Sequence, residues 1–209
     1  MKMKLYEDFD FITDGNEDIK YGDFILKRED IEAVLKGIED GIKWAKKSAY
    51  RDCFKNVYVV VTDSPVELTE FVDIDDVTNS LYIHMNVAGS ILYYHHEPFF
   101  RKIIFKENWE EISLYTYSQF FFLHELGHIV HAHLENPDAK NSIETLEAFD
   151  KKYKHYVDIL ESKYERVTDD VDDLIVSEPL QRAYRKLPQE KMADKFAFMF
   201  LEDMKRMLK

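Results

Sequence analysis

Apolar positions recur at helical spacing over residues 29–49, where Ile31, Val34, Leu35, Ile38, Ile42 and Ala45 share one face. That spacing predicts an amphipathic helix, weakened only by Gly37 and Gly41. The pattern then changes. NVYVVVTD (56–63) is a β-branched run closed by turn residues, which predicts a strand. SLYIHMN (80–86) and GSILYY (89–94) read as two further strands, with Val87 to Gly89 near the connecting turn. Together they would form a hairpin or a sheet edge; residues 98–106 also fit a helix. From about Trp109 to Leu134 the chain reads as helix, with its first glycine at Gly127, and Asn136-Pro137-Asp138 stops it.

Asn141, with Glu144 three residues on, makes a capping pair that opens a second long helix. In it Ile143, Leu146, Phe149, Tyr153, Val157, Leu160, Tyr164 and Val167 recur every three or four residues. Its many charges turn the other side to water, and the acidic run TDDVDD (168–173) ends it. Lys186-Leu187-Pro188 leads into a last helix over about 188–208, carrying Met192, Phe196, Phe200, Met204 and Leu208. The order is helix, a few strands, then three helices. That predicts an α+β fold, mostly helical, with a small mixed or antiparallel sheet.

Composition narrows the functional classes. A chain of 209 residues can bury one core, which predicts a single domain over 1–209. The formal net charge of −13 opposes nucleic acid and anionic membranes as partners. Cys53 has no second cysteine to pair with, which fits a reducing compartment. The start, MKMKLYEDFDF, lacks the apolar segment of a signal peptide, and no apolar run approaches a membrane span. These features predict a soluble, cytoplasmic protein.

The chemistry is concentrated in HELGHIVHAHL (124–134). On a helix His124 and His128 sit at i and i+4, one above the other, so their rings can converge on one Zn²⁺. Glu125 is rotated beside that point, where a general base must stand to take a proton from an activated water. Gly127 lets another backbone approach the helix, and Phe120-Phe121-Phe122-Leu123 would bury it. A catalytic zinc needs a third protein ligand. His131 lies roughly 10 Å further along an unbroken helix than His124, too far for the same ion. Leu134 stands where a metzincin would carry its third histidine. His131 and His133 are therefore expected behind the metal ligands, in contact with substrate or, foremost, simply exposed.

A downstream carboxylate remains. The spacing ExxxD lets a glutamate ligate while the aspartate one turn later holds a ligand histidine from behind. It occurs at Glu165/Asp169, which runs into an acidic loop, and at Glu190/Asp194, which opens an apolar helix. Ala193 and Ala197 permit close packing of that second helix, which favours Glu190 as third ligand and Asp194 as orienter.

HELGH followed by Glu190-x-x-Ala193-Asp194-x-Phe196-Ala197 resembles the zinc peptidases of the gluzincin type, and in detail the ImmA/IrrE family. The ending HIVHAHL is also similar to the Lit-type phage-exclusion peptidases. The resemblance covers two helices. It implies a zincin-like fold, one Zn²⁺ per chain held by His124, His128 and Glu190, and Glu125 as catalytic base. Both relatives imply intracellular proteolysis tied to mobile elements, phage defence or stress, with a repressor or a translation factor as the respective substrate class. The interval from His128 to Glu190 is longer than usual for ImmA/IrrE proteins; a charged helical insertion over about 135–187 fills it.

The expected reaction is hydrolysis of a peptide bond in a protein substrate. The developing oxyanion needs a donor besides the metal. Tyr93, Tyr94, His95 and His96 follow the expected edge strand and supply candidates, and that edge would pair with an extended substrate. A zinc-binding interaction module without turnover is the alternative. The acidic clusters at Asp73-Asp75-Asp76 and Asp169-Asp173 lack the spacing of a calcium loop and read as solvated loops. No motif surrounds Cys53 to make it a nucleophile.

Overall fold

The computed structural model describes residues 3–9, 12, 18–21, 24–63, 71–75, 77–78, 80–164 and 178–207. Their order is β1 (Lys4–Asp8), β2 (Ile19–Tyr21), β3 (Phe24–Leu26), α1 (Arg28–Lys47), β4 (Val57–Thr62), β5 (Phe71–Asp75) and β6 (Ser80–Asn86). Helices follow: α2 (Val87–His96), α3 (Pro98–Phe105), α4 (Leu114–Glu135), α5 (Ser142–Tyr164), α6 (Glu178–Tyr184) and α7 (Pro188–Met207). Short 3₁₀ turns occupy Arg51–Phe54 and Lys106–Glu111. This is an α+β fold with a small mixed sheet.

Four strands form that sheet in the order β1-β4-β6-β5; β2 and β3 form a separate antiparallel pair. β1 and β6 both run parallel to β4, while β5 runs antiparallel to β6. Alternation in β4 decides its orientation. Val57, Val59 and Val61 are buried, while Tyr58, Val60 and Thr62 are half-buried. The inward valines join one core with Leu81, Ile83 and Met85 of β6, Ile31, Val34 and Ile38 of α1, and Phe120, Phe122 and Leu126 of α4. On the other face Tyr6, Tyr58 and Tyr82 line up across three strands, with ring centroids 5.8 and 5.3 Å apart.

Two sequence expectations are corrected. Residues 89–94 belong to α2 rather than to a strand. Asn86 ends β6 and caps the helix, its Oδ1 accepting from the Gly89 amide at 2.8 Å. The apolar run after it is too short for periodicity to tell strand from helix, and the cap decides. Nor does 80–94 provide a sheet edge. β6 is hydrogen-bonded on both sides, to β4 and β5, so among the described strands the edges of the sheet are β1 and β5. An extended substrate cannot add to β6.

The helix expected over 29–49 is α1, and its two glycines mark where α4 crosses it. A Cβ at Gly37 would lie 2.9 Å from both Ser118 Oγ and the Tyr115 carbonyl oxygen; one at Gly41 would lie 2.2 Å from Phe122 Cδ1. At the same crossing Asp40, 4% exposed, accepts hydrogen bonds from Lys36 and Lys43 at 2.9 Å each and from Tyr115 at 2.9 Å. Burial pushes its carboxyl pKa up, but these three bonds outweigh burial and leave it below its ordinary value. A folded pKa below the unfolded one stabilises above the unfolded pKa, and the contribution is lost as pH falls through the folded one. Asp40→Asn is therefore expected to cost about 1–2 kcal/mol at neutral pH. The gap between variant and wild type should narrow as pH falls through the carboxylate range in denaturant titrations.

Beyond Asn136-Pro137-Asp138, α5 opens on the expected cap. The Glu144 amide donates to Asn141 Oδ1 at 2.9 Å, and the Glu144 carboxylate accepts from the Lys140 amide at 3.1 Å. α5 packs back on α4: Tyr153 and Lys152 both donate to Glu135, at 2.8 Å each. No helix among the described residues is long and apolar enough to cross a membrane. The end expected for the long helix in the acidic run 168–173 lies outside the described residues, as does Glu165/Asp169.

Candidate metal centre

α4 is capped by Ser113, whose Oγ accepts from the Thr116 amide at 3.2 Å, so the helix begins later than the sequence suggested. It has no single apolar stripe. Phe120, Phe122, Leu123, Leu126, Ile129 and Val130 are all buried, which places the helix in the middle of the molecule. His124 and Glu125 are buried with it, at 3% and 6% exposure. Such polar groups are held in a core only where they find partners.

The partners come from α7. Gly127 allows the approach: a Cβ there would lie 3.0 Å from Ala193 Cα and 3.2 Å from the Ala193 carbonyl oxygen. The close contact sits between His124 and His128 on one helix and between Glu190 and Asp194 around Ala193 on the other. It sets these four side chains face to face. His124 Nε2 lies 3.2 Å from His128 Nε2 and 3.1 Å from Glu190 Oε2, and His128 Nε2 lies 3.6 Å from Glu190 Oε1. Atoms held tetrahedrally about one zinc would be roughly 3.3 Å apart, given bonds of about 2.0–2.1 Å. On the other edge of the same imidazole, His124 Nδ1 lies 2.9 Å from Asp194 Oδ1. Glu125 Oε1 stands 4.0 Å from His124 Nε2, beside the triangle rather than within it. The ligand atoms of His124, Glu125 and His128 all lie within 4.8 Å of one another, a group that could hold a metal ion.

The electrostatics fit a cation. Burial lowers the pKa of His128 and keeps it neutral, with a lone pair to offer. For His124 burial and the Arg185 charge act in the same lowering direction, yet Asp194 and Glu190 outweigh both and raise it. Glu190 is raised by burial, but the two histidines and Arg185 bring it well below the usual carboxylate range. Its place in the first turn of α7 adds the favourable field of a helix N-terminus. Two carboxylates thus converge on one imidazole and favour positive charge there.

Two residues of this site were not anticipated from the sequence. Arg185 follows α6, and its Nη1 donates to Asp194 Oδ1 at 2.8 Å. The same nitrogen lies against the His124 ring, 3.2 Å from Nδ1, and the guanidinium covers the Phe121 ring at 5.2 Å. Tyr184, 37% exposed, lies on the same segment and stands near the Glu190 and Glu125 carboxylates. Burial and the nearby Glu190 and Glu125 charges push its phenol well above the ordinary value. Their only sequence signal is position, on the short turn just before the helix that carries Glu190.

The remaining candidates lie elsewhere. Tyr93 packs on Phe100 with centroids 4.6 Å apart, and the Tyr94 hydroxyl donates to the Ile112 carbonyl at 2.8 Å. His95 pairs with Asp30 at 3.0 Å, and the His96 ring meets Phe24. They occupy the C-terminal half of α2, and none of these contacts joins them to His124, His128 or Glu190. His131 and His133 are half-buried rather than exposed. The first bonds the Gly127 carbonyl at 2.7 Å and the second the backbone of Cys53. Burial raises the Cys53 thiol above its ordinary pKa, the wrong direction for a nucleophile. Asp75 closes a turn, accepting from the Val77 and Thr78 amides at 2.9 and 3.1 Å.

Compared with known proteins, the chain matches no protein-family model, no curated protein and no solved structure.

Proposed function

We propose that this chain is a zinc-dependent metallopeptidase of the gluzincin type, acting in the cytoplasm on a peptide bond of a specific protein substrate. The observation that supports it is the convergence of His124, His128 and Glu190 at 3.1–3.6 Å with Glu125 beside them. A purely structural zinc site is closed by four protein ligands and needs no base at its side.

His124, His128 and Glu190 would hold the metal. When bound, zinc supplies Lewis acidity and brings the pKa of water towards neutrality. The protein residues do the rest. Asp194 accepts from His124 Nδ1, which fixes the tautomer and leaves Nε2 as the ligating atom. Arg185 holds Asp194 in place. Glu125 accepts the proton of the attacking water and returns it to the amine that leaves. The acidic surface of the chain disfavours nucleic acid and anionic membranes as partners. A role in phage defence, mobile-element control or stress regulation is part of the same proposal.

The test is cleavage of a proteome-derived peptide library by the zinc-loaded protein, read by mass spectrometry, with Glu125→Gln in parallel. New termini produced by wild type and absent with Glu125→Gln support the reading. Zinc bound at full occupancy with no new termini would leave the chain as a zinc-binding interaction module.

A further inference from the structure

We propose that α6 and the turn after it, residues 178–187, form a lid over the metal centre, latched by Arg185 and opening to admit substrate. The inference rests on the metallopeptidase reading and concerns access to that same site. Glu190, His124 and Glu125 are only 2%, 3% and 6% exposed. A peptide bond must nevertheless come within reach of all three, so something that covers them has to move.

α6 is placed to be that cover. It packs against α3 and α5, and these two helices flank the part of α4 that carries the histidines. On the α3 side the Phe105 ring meets Phe120, one turn before His124, at 5.0 Å. On the α5 side the Phe149 ring lies 6.4 Å from the His128 ring. A helix that touches both spans the opening between them. Arg185, just past its end, lies on the His124 ring, 3.2 Å from Nδ1 and 3.4 Å from Nε2.

The attachment of this segment is light. None of the residues Glu178–Tyr184 is buried, whereas α4 and α7 are held by core residues along their length. Arg185 supplies the anchor: its side chain is 10% exposed, and its Nη1 donates to Asp194 Oδ1 at 2.8 Å. That anchor is imperfect. Arg185 Nε is buried with no hydrogen-bond partner among the described residues. A donor left without water or a partner disfavours the closed position and is satisfied again once the segment leaves.

The pivot lies at Lys186–Leu187. The Leu187 amide bonds back to the Tyr184 carbonyl at 2.9 Å, while the Leu187 carbonyl accepts from the Lys191 amide of α7 at 3.0 Å. Pro188 has no amide to continue the bonding from one helix into the next. α7 can therefore keep Glu190 and Asp194 in place while the segment before it swings out.

Amide hydrogen exchange of the full chain, read by mass spectrometry, tests the lid. A helix this short does not persist once it leaves the body of the protein, so opening exposes its amides. In the wild type the amides of 180–187 should exchange at least about a hundredfold faster than those of 120–130. Arg185→Gln removes the ion pair and should speed 180–187 at least about a further tenfold, with 120–130 and 190–200 unchanged. Access is read separately with diethyl pyrocarbonate, which acylates exposed imidazole nitrogens. His128 of the metal-free chain should react at least about tenfold faster in Arg185→Gln, while His95, its side chain 44% exposed, reacts equally in both proteins. Exchange of 180–187 in step with 120–130 in the wild type would overturn the lid, because the segment would then open only with the whole fold. Equal His128 reactivity in the two proteins would also overturn it, since Arg185 would then hold Asp194 without barring the site. Neither measurement needs zinc or cleavage, so a chain that opens as expected yet holds no zinc would sink the metallopeptidase reading and leave the lid in place.

Discussion

Glu125→Gln is expected to lower kcat for peptide hydrolysis by about 10³–10⁴-fold, the upper part of the range for a general base. Glutamine has the same shape but cannot take a proton. Glu125 stands 4.0 Å from His124 Nε2, outside the closer triangle of His124, His128 and Glu190, so zinc content should stay at the wild-type level. Thermal stability should hold or rise, because a carboxylate 6% exposed and close to Glu190 is replaced by a neutral amide. Steady-state kinetics on a cleaved library peptide, with zinc assayed on the same samples, separates the two roles. Full activity in the variant would remove Glu125 from the chemistry; loss of zinc would make it a ligand.

Gly127→Leu carries the second large effect. Leucine is the better helix former, by roughly 0.7–1 kcal/mol, so propensity alone predicts a more stable protein. Packing predicts the reverse. A Cβ at this position already meets Ala193 backbone atoms at 3.0 and 3.2 Å and Phe196 Cβ at 3.2 Å, and the rest of a leucine has nowhere to go. Overpacking of this kind costs about 1–3 kcal/mol, and here it drives α7 away from α4. The variant should be less stable in denaturant titrations. It should also hold zinc more weakly, because the displacement separates Glu190 from the two histidines. A stability gain with unchanged zinc affinity would mean that the two helices tolerate a wider spacing than the site geometry implies.

The parts of this molecule that were legible in the sequence are those that local chemistry decides. HELGH places His124 and His128 by helix geometry alone. The cap at Asn141–Glu144 needs only adjacent residues. Gly127 announced a close backbone, and Ala193 is the residue that comes close. Glu190 and Asp194 could be chosen over Glu165 and Asp169 because the helix around them is apolar.

What stayed hidden depends on tertiary order. Ile91, Tyr93 and Tyr94 suit a strand by residue type, and only the Asn86 side chain, accepting from Gly89, turns that run into α2. Whether β6 is an edge is set by where β5 docks, which no pattern within 80–86 records. Arg185 reaches the site only because α6 packs against α3 and α5, which puts Arg185 against a histidine 61 residues earlier in the chain.

The central claim is that His124, His128 and Glu190 hold one zinc, and metal content tests it most directly. Wild type and Glu190→Ala are purified without added metal and assayed for zinc by elemental analysis. About one zinc per wild-type chain and a large loss in Glu190→Ala, with the fold retained by circular dichroism, is the predicted result. No zinc in the wild type and none taken up on titration would contradict the metal centre altogether. Zinc retained equally by both proteins would contradict Glu190 as its third ligand.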